Sequence, residues 1–291
     1  MSDRSLLASM GSPFRQGVFA AVVLALGFAV PAAAAGGYGN CEVSGQKGAF
    51  HITPAVPGQL TVEVTLPAPG WYNGDTPATI KDGYEYCMGA DIAYRAGLDK
   101  LVIVNVAWPQ LIGGHTTNFD LALAEASITE ARKKVVDFSV PYFNSDIGLL
   151  VKSALKVDSA GAKNLRIGVH QGTTGADFIA DVLKPAKPVK VYPTVPGMMA
   201  ALVAGEIDAA ADDTAYVLAY AAQSHGTLAV AGQYHTGETY GAVYPKGSAN
   251  DATFDKIIQS LKDDGTLDKL AAKYLAAAWG ADPTKVPYFT P

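Results

Sequence analysis

Ser127, Thr129 and Arg132 fall within six positions, just after the apolar run Phe119 to Ala124. Thr129 followed by Glu130 reads as a helix start, because a hydroxyl there can accept from the free backbone N–H groups of a first turn. That places Arg132 in the first turn, close to the end of a strand. Strand ends in open α/β sheets are where small ligands bind. A guanidinium at such a place can grip a carboxylate through two parallel charge-assisted hydrogen bonds. A second group is the Gly172-Thr173-Thr174-Gly175 loop of VHQGTTGADF. Glycines let backbone approach a bound group, and the loop opens a helix whose N–H groups favour an anion. It lacks the Lys-Ser/Thr of a phosphate-binding P-loop, and a plain strand-to-helix loop is the alternative. A third is Asp212-Asp213-Thr214 at the end of a short apolar run. There Asp213 can accept from N–H donors, cap the following helix, or do both.

Alternating strands and helices must position these groups. Leu60 to Thr65, Leu101 to Val106, Phe119 to Ala124 and Ile147 to Lys152 read as strands, with a helix over Gly83 to Ala96. A second series follows: strands at Leu165 to Val169, Val189 to Tyr192 and Asp208 to Ala211, with helices from Gly175, over Pro196 to Ala204 and over Thr214 to Ala222. A strand at Tyr240 to Tyr244 and two amphipathic helices, Ala252 to Leu261 and Leu267 to Ala277, complete the chain. This alternation predicts an α/β protein with mostly parallel sheets.

Arg4 and Arg15 precede the uncharged apolar run Gly17 to Val30, then Pro31 and four alanines. Residues 1–35 therefore read as a secretory signal peptide cleaved after Ala34 or Ala35, and the protein as periplasmic. The run is short for a transmembrane anchor. Cys41 lacks the preceding sequence of a lipoprotein. Without residues 1–35 the chain carries 20 basic and 26 acidic side chains, a balance of −6. A mildly acidic chain without basic runs excludes nucleic acid and anionic membrane surfaces as partners. The two cysteines, Cys41 and Cys87, are expected to pair in an exported chain. Two buried thiols or a metal pair are the alternatives, the latter poor without nearby histidines. The five histidines form no metal-binding spacing, and no cofactor motif is present.

The pattern Asp120, Ser127, Ile128, Thr129, Arg132, followed by Asp137-Phe138-Ser139-Val140-Pro141-Tyr142-Phe143, closely resembles the family 3 extracellular solute-binding proteins, the polar amino-acid receptors of bacterial ABC transporters. Thr236 to Ser248 (TGETYGAVYPKGS) and Asp264-Gly265-Thr266 carry the resemblance further, so that it spans nearly all of Gly58 to Tyr274. It implies a two-lobed periplasmic-binding-protein type II fold with two crossing hinge strands, at Gly148 to Lys152 and Thr239 to Tyr244. Residues 36–148 would form the first lobe, 149–241 the second, and 242–291 would return to the first.

The resemblance also implies a ligand set. Arg132 and Ser127 would hold the ligand from the first lobe. Thr174, with Gly175 beside it, would donate to the ligand carboxylate from the second lobe. Asp213 would accept from the ligand ammonium, and Trp108 would cover the ligand side chain. Asp208 would pack structurally. The segment Pro67 to Asp82 departs from the family pattern; Trp71 is the candidate there for the roof of the site. Glu125 stands where glycine or serine is common. If it faces the cleft, the ligand carries more positive charge than a plain zwitterion; the alternative is pairing with a cation of its own lobe.

The implied function is capture of an amino acid or related amine-bearing zwitterion by a monomer that closes about its hinge and delivers the ligand to an inner-membrane ABC permease. Cyclohexadienyl dehydratases share the resemblance, but they carry an acid three positions beyond the residue matched by Asp213. Tyr216 stands there, so a binding protein and not an enzyme is expected.

Overall fold

The computed structural model describes residues 37–291; the signal-peptide reading of residues 1–35 lies outside the described residues. The early part of the chain supplies β1 (Gln59–Val64), α1 (Tyr84–Arg95), β2 (Lys100–Asn105), α2 (Trp108–Ile112), β3 (Leu121–Ala122) and β4 (Asp137–Phe138). The middle supplies β5 (Phe143–Lys152), α3 (Ser159–Ala162), β6 (Ile167–His170), α4 (Thr174–Phe178), β7 (Lys190–Tyr192), α5 (Val195–Ala204), β8 (Ala209–Asp213), α6 (Thr214–Gln223) and β9 (Leu228–Tyr240). Then come β10 (Val243–Tyr244), α7 (Asp251–Asp263) and α8 (Thr266–Leu270).

Two five-stranded sheets result, in the orders β2-β1-β3-β10-β4 and β7-β6-β8-β5-β9. They are mixed where mostly parallel sheets were expected. In the first, β1 runs parallel to β2 and β3, while β10 is antiparallel to β3 and β4. In the second, β6 runs parallel to β7 and β8, while β5 is antiparallel to β8 and β9. The parallel pairs come from strand–helix–strand crossovers; the antiparallel ones come from the strands that carry the chain between sheets.

Those passages are short. The chain leaves the first sheet after β4 and enters the second at Phe143; it leaves β9 at Tyr240 and re-enters the first sheet at Val243. The two run side by side: the Ser139 N–H donates to the Ala242 carbonyl at 2.9 Å, and the Tyr142 N–H to the Tyr240 carbonyl at 2.9 Å.

Burial follows sequence periodicity. On β5, Ile147, Leu149 and Val151 face one core of the second sheet and Leu150 faces the other, as the two-residue repeat of a strand requires. On α7, Phe254, Ile257, Ile258 and Leu261 are buried at helical spacing against the first sheet's core. Cys41 and Cys87 form a disulfide that ties the segment before β1 to α1. No helix among the described residues is long and apolar enough to cross a membrane.

Three local expectations shift. Phe119 to Ala124 gives only a two-residue strand, because Asp120 turns its carboxylate onto the N–H groups of Ala55 (2.6 Å) and Thr61 (2.7 Å). The helix foreseen at Thr129 is a single 3-10 turn, Arg132–Lys134, although the Thr129 hydroxyl does accept from the Arg132 N–H at 3.2 Å. Trp71 is fully buried. It packs edge-on against Tyr84, Phe143 and Tyr240 and does not roof a ligand site. The turn at Gly70 (φ 87°), closed by the Trp71 and Tyr72 N–H groups donating to the Ala68 carbonyl, swings both rings into the first core.

Candidate functional site

A cavity of about 60 Å³ lies between the two sheets. From the first sheet's side it is lined by Thr65, Trp108, Ala124, Glu125, Ser127 and Arg132; from the second by His170, Thr173, Thr174, Val195, Asp212, Asp213 and Tyr216. Arg132 and Asp213 therefore open onto one crevice.

The 3-10 turn after Thr129 holds Arg132 inward, 8% exposed. Its Nη1 donates to the Ser127 carbonyl at 2.7 Å, and its Nη2 to the Gly172 carbonyl at 3.1 Å. The guanidinium carbon stands 5.0 Å from the Trp108 ring centroid, within cation–π reach. Trp108 opens α2, where Pro109 suits the first turn, and its Nε1 also donates to the Gly172 carbonyl, at 3.2 Å. Gly172 has φ 75° and a Cβ there would come within 3.3 Å of Ile112, so glycine serves both the turn and the close approach. Burial lowers the Arg132 pKa, and the negative charges of Asp213 and Glu238 oppose that shift.

Thr173 caps α4: its hydroxyl accepts from the Ala176 N–H at 3.1 Å. This turns Thr174 to the cavity. Gly175 is not part of the lining. A Cβ at Gly175 would make only ordinary contacts, 3.4 Å from Ile147 and 3.8 Å from Asp212, where α4 meets β5 and β8.

The acids come from several elements. Asp213 ends β8 at the N-cap position of α6, yet its side chain makes no capping bond. Its Oδ2 instead accepts from the Tyr240 hydroxyl at 2.5 Å. Asp212 accepts the Asp213 N–H through Oδ1 at 2.9 Å, and its Oδ2 is buried without a hydrogen-bond partner. Glu125 sits just past β3 with a left-handed backbone, φ 47°. Its N–H donates to Glu85 at 3.0 Å; its Oε1 is buried without a partner when both acids are ionised, and its carboxyl lies close enough to that of Glu85 for the two to share a proton. No salt bridge joins Glu125 to a cation among the described residues.

Burial pushes the Asp212 carboxyl up to about 6 and the Glu85 carboxyl up to about 7. Asp213 is raised well above the usual range by burial and by Asp212 and Glu238; Glu125 is raised likewise by burial and by Glu85. Burial lowers the His170 pKa and so disfavours its charged form. By contrast Asp208 accepts two hydrogen bonds from the Arg166 guanidinium outside the cavity, which drops its carboxyl to about 2.

Sequence reasoning passed over Glu238 and Glu85. Glu238, on β9, accepts the Ser127 hydroxyl and the Thr174 hydroxyl, both at 2.6 Å, and so joins the two sides behind the cavity. Glu85, on α1, backs Glu125 and accepts the Tyr142 hydroxyl. Glu238 lies inside the Thr236 to Ser248 stretch that carries the resemblance but was given no role, and Glu85 shows no local motif. Tyr216, noted only as a missing acid, lines the cavity and donates its hydroxyl to the Pro67 carbonyl across the sheets.

A family model for bacterial extracellular solute-binding proteins, family 3, matches residues 68–277. A probable histidine-binding protein of Neisseria gonorrhoeae is 28% identical over 193 residues, 64% of this chain and 72% of that protein. The L-cystine-binding protein TcyJ of Escherichia coli (strain K12) is 28% identical over 213 residues, 70% of this chain and 76% of that protein. An ancestral arginine-binding protein bound to arginine superposes with a TM-score of 0.65 and 29% identity, over 75% of this chain and 98% of that one. The chain belongs to the bacterial extracellular solute-binding proteins, family 3.

Proposed function

We propose that this protein captures an amino acid or a related amine-bearing zwitterion in the periplasm and delivers it to the permease of an ABC transporter. The observation that carries the reading is one cavity lined by Arg132, Ser127 and Trp108 from one side and Thr174 and Asp213 from the other. Arg132 would take the ligand carboxylate and Asp213 its ammonium. A ligand held by both sides favours the closed arrangement by its differential affinity for closed over open. The side-by-side passages at Ser139–Tyr142 and Gly241–Ala242 are the natural hinge.

Micromolar affinity needs about −8 kcal/mol net. Several charge-assisted hydrogen bonds of roughly 1.5–3 kcal/mol each, with aromatic burial against Trp108, reach that after association costs. Calorimetry on protein unfolded and refolded free of ligand, against the standard amino acids, tests the reading. Arg132→Gln is expected to weaken binding by at least about a hundredfold, since it leaves a ligand carboxylate buried without its cation. Unchanged affinity in that variant defeats the assignment. We propose a binding role and not catalysis: the position of the dehydratases' acid holds Tyr216, whose hydroxyl is turned to the Pro67 carbonyl. Measurable prephenate turnover would reverse this.

A further inference from the structure

The charges around the cavity do not balance for a plain zwitterion. Arg132 is the one cation among the lining residues, facing the carboxyl groups of Glu125, Asp212 and Asp213. Its two terminal nitrogens already donate to the Ser127 and Gly172 carbonyls. An ammonium received by Asp213 would account for one carboxylate. Glu125 and Asp212 remain, each with one carboxylate oxygen buried and unpartnered. Nor do the neighbours supply cations. Glu85 stands behind Glu125 with its own Oε2 buried and unpartnered, and Glu238 stands behind Ser127 and Thr174. His170, the other basic side chain of the lining, has its charged form disfavoured by burial. Buried carboxylates in such a cluster must be protonated or be neutralised by something that enters.

Glu125 is also held against the grain of the backbone. Its φ of 47° is a conformation that side-chain-bearing residues adopt at a cost, and the surroundings retain it. The strained turn brings a carboxyl to the cavity from the first sheet's side, opposite Asp212 and Asp213 on the second.

We propose that the cavity selects a ligand with two cationic nitrogens, one for Asp213 and a second for Glu125 and Asp212: an α-amino acid with a basic side chain or an aliphatic diamine. The proposal rests on the reading of this cavity as the ligand site. Glu125 and Asp212 are then the residues that set specificity. Because they come from opposite sides of the cavity, the second cation also draws the two sides together. The Ser127 and Thr174 hydroxyls are already committed to Glu238, so of the groups expected to receive a ligand carboxylate Arg132 bears the greater share.

The test is calorimetry at pH 7.5 on the refolded, ligand-free protein with L-arginine, L-lysine, L-ornithine, putrescine and agmatine on one arm, and L-glutamine and L-leucine on the other. At least one dicationic ligand is expected to bind about tenfold or more tighter than L-glutamine, a difference of about 1.4 kcal/mol. Putrescine and agmatine bound more weakly than L-lysine and L-arginine identify a basic amino acid as the ligand; the reverse order identifies a diamine. Glu125→Gln and Asp212→Asn, checked for folding by circular dichroism, are each expected to cut the ratio of dicationic to L-glutamine affinity at least about fivefold. L-Glutamine or L-leucine binding as tightly as every dication, or a ratio unmoved in both variants, overturns this inference and leaves the receptor reading standing. No binding by any compound on either arm overturns both.

Discussion

Raising the pH from 5 to 8 on the ligand-free protein should weaken it, contrary to the usual behaviour of a chain whose carboxylates are paired. Glu85 and Asp212 carry folded-state values of about 7 and about 6, raised first by burial, against ordinary values of 4.5 and 3.8. A raised carboxyl pKa means that the folded state binds the extra proton. The stability it contributes is present in full below the unfolded value and is lost as pH climbs from there through the folded value. Each shift corresponds to about 3 kcal/mol at most. Glu125, raised by burial and by Glu85, and Asp213, raised by burial and by Asp212 and Glu238, act in the same direction. The surrounding tyrosines, Tyr72, Tyr84, Tyr142, Tyr216, Tyr220 and Tyr240, are shifted upward and stay neutral throughout, and Arg132 stays charged. His170 opposes the trend: its lowered value adds stability as pH rises through the ordinary histidine range. Asp208, near 2, titrates below this window. A net loss of about 3 kcal/mol between pH 5 and 8 lowers the melting point by roughly 10 °C. Urea and thermal unfolding at pH 5, 6, 7 and 8 measure it, with Glu85→Gln as the control that flattens the curve. A ligand-free protein whose stability is level or rises from pH 5 to 8 refutes the charge assignment.

Three other outcomes are expected. Glu125→Gly relieves a left-handed glutamate and one buried acid, so the ligand-free protein gains about 1 kcal/mol while losing discrimination for dications; a lower melting point contradicts the strain argument. Breaking the Cys41–Cys87 disulfide with Cys41→Ser plus Cys87→Ser, a closure of sequence separation 46, costs about 4 kcal/mol on the chain-entropy account, read from urea midpoints. Glu238→Gln weakens the two 2.6 Å bonds that join Ser127 and Thr174 across the cavity. Its radius of gyration by small-angle scattering is expected to exceed that of the parent without ligand and to match it with ligand; equal radii without ligand dismiss Glu238 as a latch.

How much of this was legible in the chain depended on how local each signal was. Arg132, Ser127 and Thr174 stand in short motifs whose neighbours define their turns, and the cavity is lined by all three. The strands β1, β2 and β5 are apolar runs, and α7 has a clear apolar stripe. Most of β9 was passed over because LAVAGQYHTGE mixes alanine, glycine and polar residues without alternation; its pairing with β5 makes it a strand. Glu85 looked like the polar face of a helix, and only the fold brings it to Glu125, 40 positions away. Trp71 was expected at the roof of the site, in a Pro-, Gly- and Asn-rich stretch that departs from the family pattern, yet the turn folds it into the core.

The paired passages between the sheets have a consequence for what a transporter would see. Two short segments bonded side by side would bend together as one hinge. With such a hinge, every occupant of the crevice would produce the same outer silhouette, whatever its side chain. A permease that recognised that silhouette would register occupancy without inspecting cargo, and discrimination among solutes would fall wholly to the acidic walls inside.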